Sequence, residues 1–220
     1  MNYSATQADS KLANWQIFGI LVVINLGILW FVKEYIFRYD VLYRFFQEQV
    51  ELSQIEHNLE LLRNWFNLNY LLVPFSLLIK FSFLAFVLQL PLLFIVDDIP
   101  YKNIFRVVMI ADLAMIGCSI LHYTVLFLKP LSTLETETFG RIPLSLAVLL
   151  QDFARLSDPA KMIVNKFNAF ELIWCAMVYY QLKALTGLKS IDVLLLVISI
   201  WTFLLLIQWL GVELFMLLSI

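Results

Sequence analysis

The sequence predicts an all-α, polytopic membrane protein, and three observations predict it. Of the 220 residues, 62% are hydrophobic and 15% are charged, where a soluble domain runs near ~45–50% and ~25%. The apolar residues are gathered into runs long enough to cross a hydrocarbon core of about 30 Å. The few ionic residues inside those runs recur on single helical faces rather than being scattered. A net charge of −2 and a pI near 5.7 leave no basic surface for nucleic acid.

Five spans are expected, at about 15–32, 70–96, 104–128, 167–185 and 192–218, forming one membrane domain over 1–220. Residues 1–14 are polar and lack both a basic start and a small-residue cleavage site after the first apolar run, so that run reads as a retained span. Trp15 and Trp30 near its ends suit the headgroup level, and Asn25 is its one strongly polar interior group.

Residues 38–66 are too charged to span. Phe45, Leu52, Ile55, Leu59, Leu62 and Phe66 recur at three- and four-residue steps. They predict an amphipathic helix outside the bilayer, with a seam suited to a partner helix. His57 has no second His or Cys at ligand spacing.

The apolar hairpin from Asn69 to Leu128 follows, broken by Asp97 and Asp98 in its turn. Pro74 and Pro91 sit near the ends of its first arm, where a missing helical hydrogen bond costs least. Within the arms stand Lys80, Asp112, Ser119 and His122, which lipid does not tolerate unless they are paired or hidden. For antiparallel arms turning near residue 100, Lys80 lies level with Ser119 to His122. Asp112 then falls more than two turns away and is not expected as its direct partner.

A longer connection leads to residue 168. Within it, residues 142–156 are apolar but short, which predicts an interfacial or re-entrant helix. Ser157, Asp158 and Pro159 mark a helix start, and Lys161 and Lys166 an approach to the membrane surface. Glu171, Cys175, Val178 and Gln181 share one face of the fourth span. Gly187 is placed to end that span. In the fifth, Asp192, Ser199, Thr202 and Glu213 share an arc, with Gln208 opposite. The expected intramembrane polar seam, structural or relay, is Lys80, Asp112, Ser119, His122, Glu171 and Gln181. Cys118 and Cys175 lie inside spans and read as small apolar packing residues.

No HExxH, GxSxG, phosphate-binding glycine loop, CxxC or dinucleotide fingerprint occurs, and six glycines leave little material for a phosphate cradle. The expectation is a protein with no catalytic, cofactor-binding or metal-ligating residues.

From about Pro91 to Leu206 the chain resembles the Yip-type (Ypt-interacting) membrane proteins and their prokaryotic relatives. The carrying features are the polar-headed span YKNIFRVVMIADLAMIGCSIL and the block NKFNAFELIWCAMVYYQLKALTGLKSIDVLLLVISIW. Asn168, Phe170, Ile173, Trp174, Leu185, Thr186, Gly187 and Leu188 match the family pattern. Tyr179, Tyr180 and Gln181 replace its usual fourth-span glycine. The resemblance implies five spans, a cytoplasmic N-terminus and action through partner binding rather than a reaction. A raw count of Lys and Arg points the other way. It favours the side bearing Lys33, Arg63, Lys129, Arg141, Lys161 and Lys166 as cytoplasmic, although long acidic loops weaken that count.

The leading functional expectation is a non-enzymatic scaffold or accessory subunit, compact enough to suit a bacterial inner membrane. Its expected partners are membrane lipids and other membrane proteins or a second copy of the chain, and not nucleic acid. The alternatives are a small transporter or channel component using Lys80, Asp112, His122 and Glu171, and a lipid-handling protein with residues 142–156 at the headgroups.

Overall fold

The structure is a computed structural model that describes residues 12–37, 52–96, 99–129 and 139–218. Among these residues it is helical, without strands. α1 covers Asn14–Phe31 and runs on through a π turn at Val32–Ile36. α2 is Leu52–Ile95, α3 Tyr101–Leu128, α4 Asp158–Lys166, α5 Ala169–Thr186 and α6 Ser190–Leu218. Four helical stretches are long and apolar enough to cross a membrane: Asn14–Ile36, Arg63–Ile95, Tyr101–Leu128 and Ser190–Leu214. α5 has 18 residues. It is more polar than these four because Glu171, Gln181 and Lys183 fall within it.

α3 is the hub. Half of its most apolar stretch is buried, against 11% for α1 and 22% for α2 and α6. It packs on α1, α2 and α5, and α6 closes the bundle against α5 and α4. The sequence allows this close packing because α3 carries Ala111, Ala114 and Gly117 along one side, and small residues let helices approach in lipid. A Cβ at Gly117 would meet the Phe170 ring of α5 at 3.5 Å. Phe81 of α2 is fully buried, with its ring edge-on to Phe18 of α1 and Phe105 of α3 at 6.3 Å each. The end of α2 and the start of α3 lie at the same end of the bundle as the α5–α6 turn at Gly187. The start of α1 is tied there too, since Asn14 Nδ2 donates to the Lys102 carbonyl at 2.9 Å and Arg106 Nη1 to the Leu12 carbonyl at 3.1 Å.

Three sequence expectations change. First, the amphipathic segment and the second span are one helix from Leu52 onward. A charged turn ends a membrane span but not a helix, and no breaker separates Phe66 from Asn69. Pro74 and Pro91 therefore lie inside α2, where packing neighbours tolerate the lost bonds. Second, residues 142–156 form no α-helix. They hold two 3₁₀ turns, Leu146–Val148 and Phe153–Arg155, joined by irregular chain. Leu144 has φ 59, a left-handed conformation uncommon for a residue with a Cβ, which breaks any continuous helix there. Third, Phe66 of the partner seam packs within the chain, its ring 5.7 Å from Phe37, which in turn stacks on Phe139 at 5.8 Å. Phe45 and the Asp97–Asp98 pair lie outside the described residues, as do the side chains of Leu52, Ile55, Leu59 and Leu62. The helix starting at Asp158 with Pro159 in its first turn is present, as is the Gly187 terminator, at φ 66 with its N–H donating to the Lys183 carbonyl at 3.1 Å.

Candidate functional site

Two ion pairs line one half-open cavity among α2, α3, α5 and α6. Lys80 Nζ lies 2.5 Å from Asp112 Oδ1, and the Asp112 side chain is only 3% exposed. Lys166 Nζ donates to Glu171 Oε1 at 2.7 Å, and the second Glu171 oxygen accepts from Trp201 Nε1 at 3.2 Å. All five residues line a cavity of about 230 Å³, together with Leu84, Met115, Trp174, Leu204, Leu205 and Gln208. Asp112 is eleven residues into α3 and Trp201 eleven into α6, so the cavity begins about 16 Å from the end of the bundle that carries the turns. Ionisable groups so deep are expensive and mark functional sites by default.

The Lys80–Asp112 contact overturns the depth argument made from sequence. α2 ends at Ile95 and α3 begins at Tyr101, so the midpoint between the two helix ends falls at position 98 rather than 100. Lys80 is then level with residue 116, about one turn from Asp112, and a four-carbon stem spans one turn. Ser119 and His122 do not join the cavity. Ser119 Oγ donates back to the Met115 carbonyl at 3.1 Å. His122 instead makes backbone hydrogen bonds at Phe139 and Arg141, which tie the end of α3 to the segment after residue 138. Glu171 does join it. Gln181 is on α5 but lines neither the cavity nor the groove described next, and its Nε2 is buried without a hydrogen-bond partner. Cys118 and Cys175 are free thiols.

Sequence reasoning missed Lys166, Trp201 and Gln208 as site residues. Lys166 stood only five residues before Glu171, across a helix break. That break is what brings them together: Asn168 caps α5, its Oδ1 accepting from Glu171 N–H at 2.9 Å. An Asn before an apolar run was a usable signal for this cap. Trp201 read as one more apolar residue of α6, although a buried indole N–H needs an acceptor.

The α4–α5 junction is stapled to the preceding loop. Asn165 Nδ2 donates to the Gly140 carbonyl at 2.7 Å, and Asn165 Oδ1 accepts from Ile142 N–H at 3.0 Å. Leu146 N–H donates to the Phe167 carbonyl at 3.0 Å, and Ala169 N–H to the Leu144 carbonyl at 3.2 Å. Asn168 Nδ2 adds a bond to the Asn165 carbonyl at 2.8 Å. Asn168→Ala removes both side-chain bonds at a buried position and is expected to cost about 1–2 kcal/mol. Asn168→Ser, which keeps an acceptor, should recover part of it. Thermal unfolding in detergent micelles measures both.

Beside this junction runs an apolar groove of about 1010 Å³ between α5, α6 and residues 144–149. Its rim residues Leu144, Leu149, Leu172, Tyr180, Leu194 and Ile198 are exposed. Lys166, Glu171 and Trp201 line both this groove and the charged cavity. No protein-family model, no curated protein and no solved structure matches this chain.

Proposed function

We propose that this chain is a non-catalytic integral membrane protein, its bundle completed by α5 as a fifth membrane-embedded helix, that holds a lipid in the groove beside α5. The observation that carries the reading is the groove itself. It is mostly apolar, at the upper end of the size range of small-molecule sites, with Lys166, Glu171 and Trp201 among its lining residues. In a bilayer its exposed rim faces acyl chains, so a lipid enters from the side without crossing a polar surface. The exposed Leu144, Leu146, Val148 and Leu149 extend that apolar wall on the loop. This reading moves lipid handling ahead of transport, for which the sequence suggested a path through His122; that residue lies away from the cavity.

The test is lipid retention. The full chain, purified in mild detergent and extracted for mass spectrometry, is expected to carry about one lipid per protein. Ala176→Trp fills the groove from an exposed position and touches neither ion pair, and it is expected to remove that lipid. No stoichiometric lipid on the wild type, or equal retention by the variant, contradicts the proposal.

A second reading, the scaffold or accessory subunit, is favoured by one observation. α2 has 44 residues, about 66 Å of helix, so it projects well beyond a hydrocarbon core. Leu61 and Trp65 are exposed on the projecting part. It is the role that the Yip-type resemblance implies, and a bacterial inner membrane is the setting we propose for it. A photo-crosslinker at Leu61 or Trp65 in native membranes should yield one discrete adduct, with another membrane protein or with a second copy. Absence of any adduct at both positions removes this reading.

A further inference from the structure

We infer that the groove takes a lipid with a net negative head, held at the C-terminal end of α5 by Lys183 and the hydroxyls of Tyr179 and Tyr180, with an acyl chain laid along α5. The inference rests on the lipid reading above and adds the ligand's charge and direction. The groove follows one face of α5. Leu172, Cys175, Ala176, Tyr179 and Tyr180 line it. At 3.6 residues per turn these five fall within an arc of about 140°, and Lys183 lies inside the same arc, one turn beyond Tyr179. Its ammonium sits 5.9 Å from the centroid of the Tyr179 ring. Along α5 the lining runs from Asn168 to Tyr180, which is about 18 Å of helix. One leaflet of a ~30 Å hydrocarbon core is ~15 Å deep, so the groove has the length of one acyl chain.

Charge decides which end takes the head. Lys166 also lines the groove, but Glu171 neutralises it at 2.7 Å. The opposite end carries an uncompensated cation. Among the described residues, Lys183 has no carboxylate within ion-pair distance, and the Tyr179 and Tyr180 hydroxyls have no hydrogen-bond partner. Lys183 and Tyr180 are exposed, and Tyr179 is half-buried. The turn into α6 adds a second exposed cation, Lys189, and one exposed acid, Asp192. An ammonium without a counter-ion beside an apolar slot attracts an anionic head. Two phenolic O–H groups next to it can donate to that head's oxygens. A zwitterionic head brings its own cation to the same place and cancels most of the attraction. Going inward, the face offers a cation, then phenols, then an apolar wall. That is the order of head, linkage and chain in a lipid.

The experiment is native mass spectrometry of the full chain in mild detergent, titrated with phosphatidylglycerol or with phosphatidylcholine of the same acyl chains. Phosphatidylglycerol is expected to bind about fivefold more tightly, the contribution of one lysine near an anionic headgroup. Lys183→Gln should abolish that preference by weakening phosphatidylglycerol alone, and Lys183→Arg should keep it. Lys102→Gln removes an exposed cation at the same end of the bundle, on α3 and outside the groove lining, and should change neither lipid. Ala176→Trp should weaken both, because it fills the slot whatever the head. Equal binding of the two lipids to the wild type, or a preference that survives Lys183→Gln, overturns the headgroup assignment while the lipid reading stands. A preference lost equally with Lys102→Gln assigns it to general surface charge and overturns the assignment too. No binding of either lipid to the wild type ends both proposals.

Discussion

Lys80→Met is expected to destabilise the folded chain by about 3–5 kcal/mol, because it leaves the Asp112 carboxylate buried without a partner. The reverse deletion should cost less. Lys80 is 43% exposed at its side chain, so with Asp112→Asn the ammonium can turn outward and snorkel along its stem. The Asn oxygen still accepts from the ammonium, so only the charge on the acceptor is lost, at a cost of about 1–2 kcal/mol. Removing both, as Lys80→Met with Asp112→Leu, should return stability close to wild type, since a buried pair is often no better than apolar residues of similar volume. Unfolding in mixed micelles with increasing SDS reads all three variants. Equal costs for the two single variants would mean that the two charges share one environment, against the exposures in the structure.

Phe81→Ala should cost about 3 kcal/mol, the lower end of the range for a buried Phe. The lower end applies because helices in lipid gain van der Waals packing from such a ring but no hydrophobic transfer. The loss is still large, since the ring is fully buried and touches both Phe18 and Phe105. It joins α1, α2 and α3 one residue away from Lys80, so the variant should also loosen the direction in which Lys80 is held. Phe81→Leu should recover more than half of the loss. The same SDS titration measures the stability, and it should show no additivity between Phe81→Ala and Lys80→Met, because adjacent sites couple.

Apolar run length made most of the fold legible from sequence. The spans around 15–32, 104–128 and 192–218 coincide with helical stretches, and the short start at Asp158 and the stop at Gly187 were readable from Ser, Asp, Pro and Gly chemistry. What could not be read was register between helices. A shift of two residues in the turn centre was enough to separate Lys80 from Asp112 on paper, although their side chains meet. Composition also misplaced a boundary: the charges of 52–66 end a membrane-crossing stretch while the helix of α2 continues through them. Residues 142–156 have a helix-like run of apolar residues, and only their tertiary bonds to Asn165, Phe167 and Ala169 reveal a stapled loop. Glu171 was visible as a face residue of its span. Its partners Lys166 and Trp201 became visible only once the helix break at residues 167–168 and the antiparallel packing of α6 on α5 were in place.

The central claim is that Lys80 and Asp112, from neighbouring apolar helices, pair with each other beside the Lys166–Glu171 pair around one cavity. Solid-state NMR on the chain in phospholipid bilayers, with ¹⁵N at Lys80 Nζ and ¹³C at Asp112 Cγ, tests it most directly. A strong dipolar coupling, of the size a hydrogen-bonded ammonium and carboxylate give, is the expected result. No measurable coupling, with the Lys80 signal instead correlated to lipid headgroups or water, would contradict it.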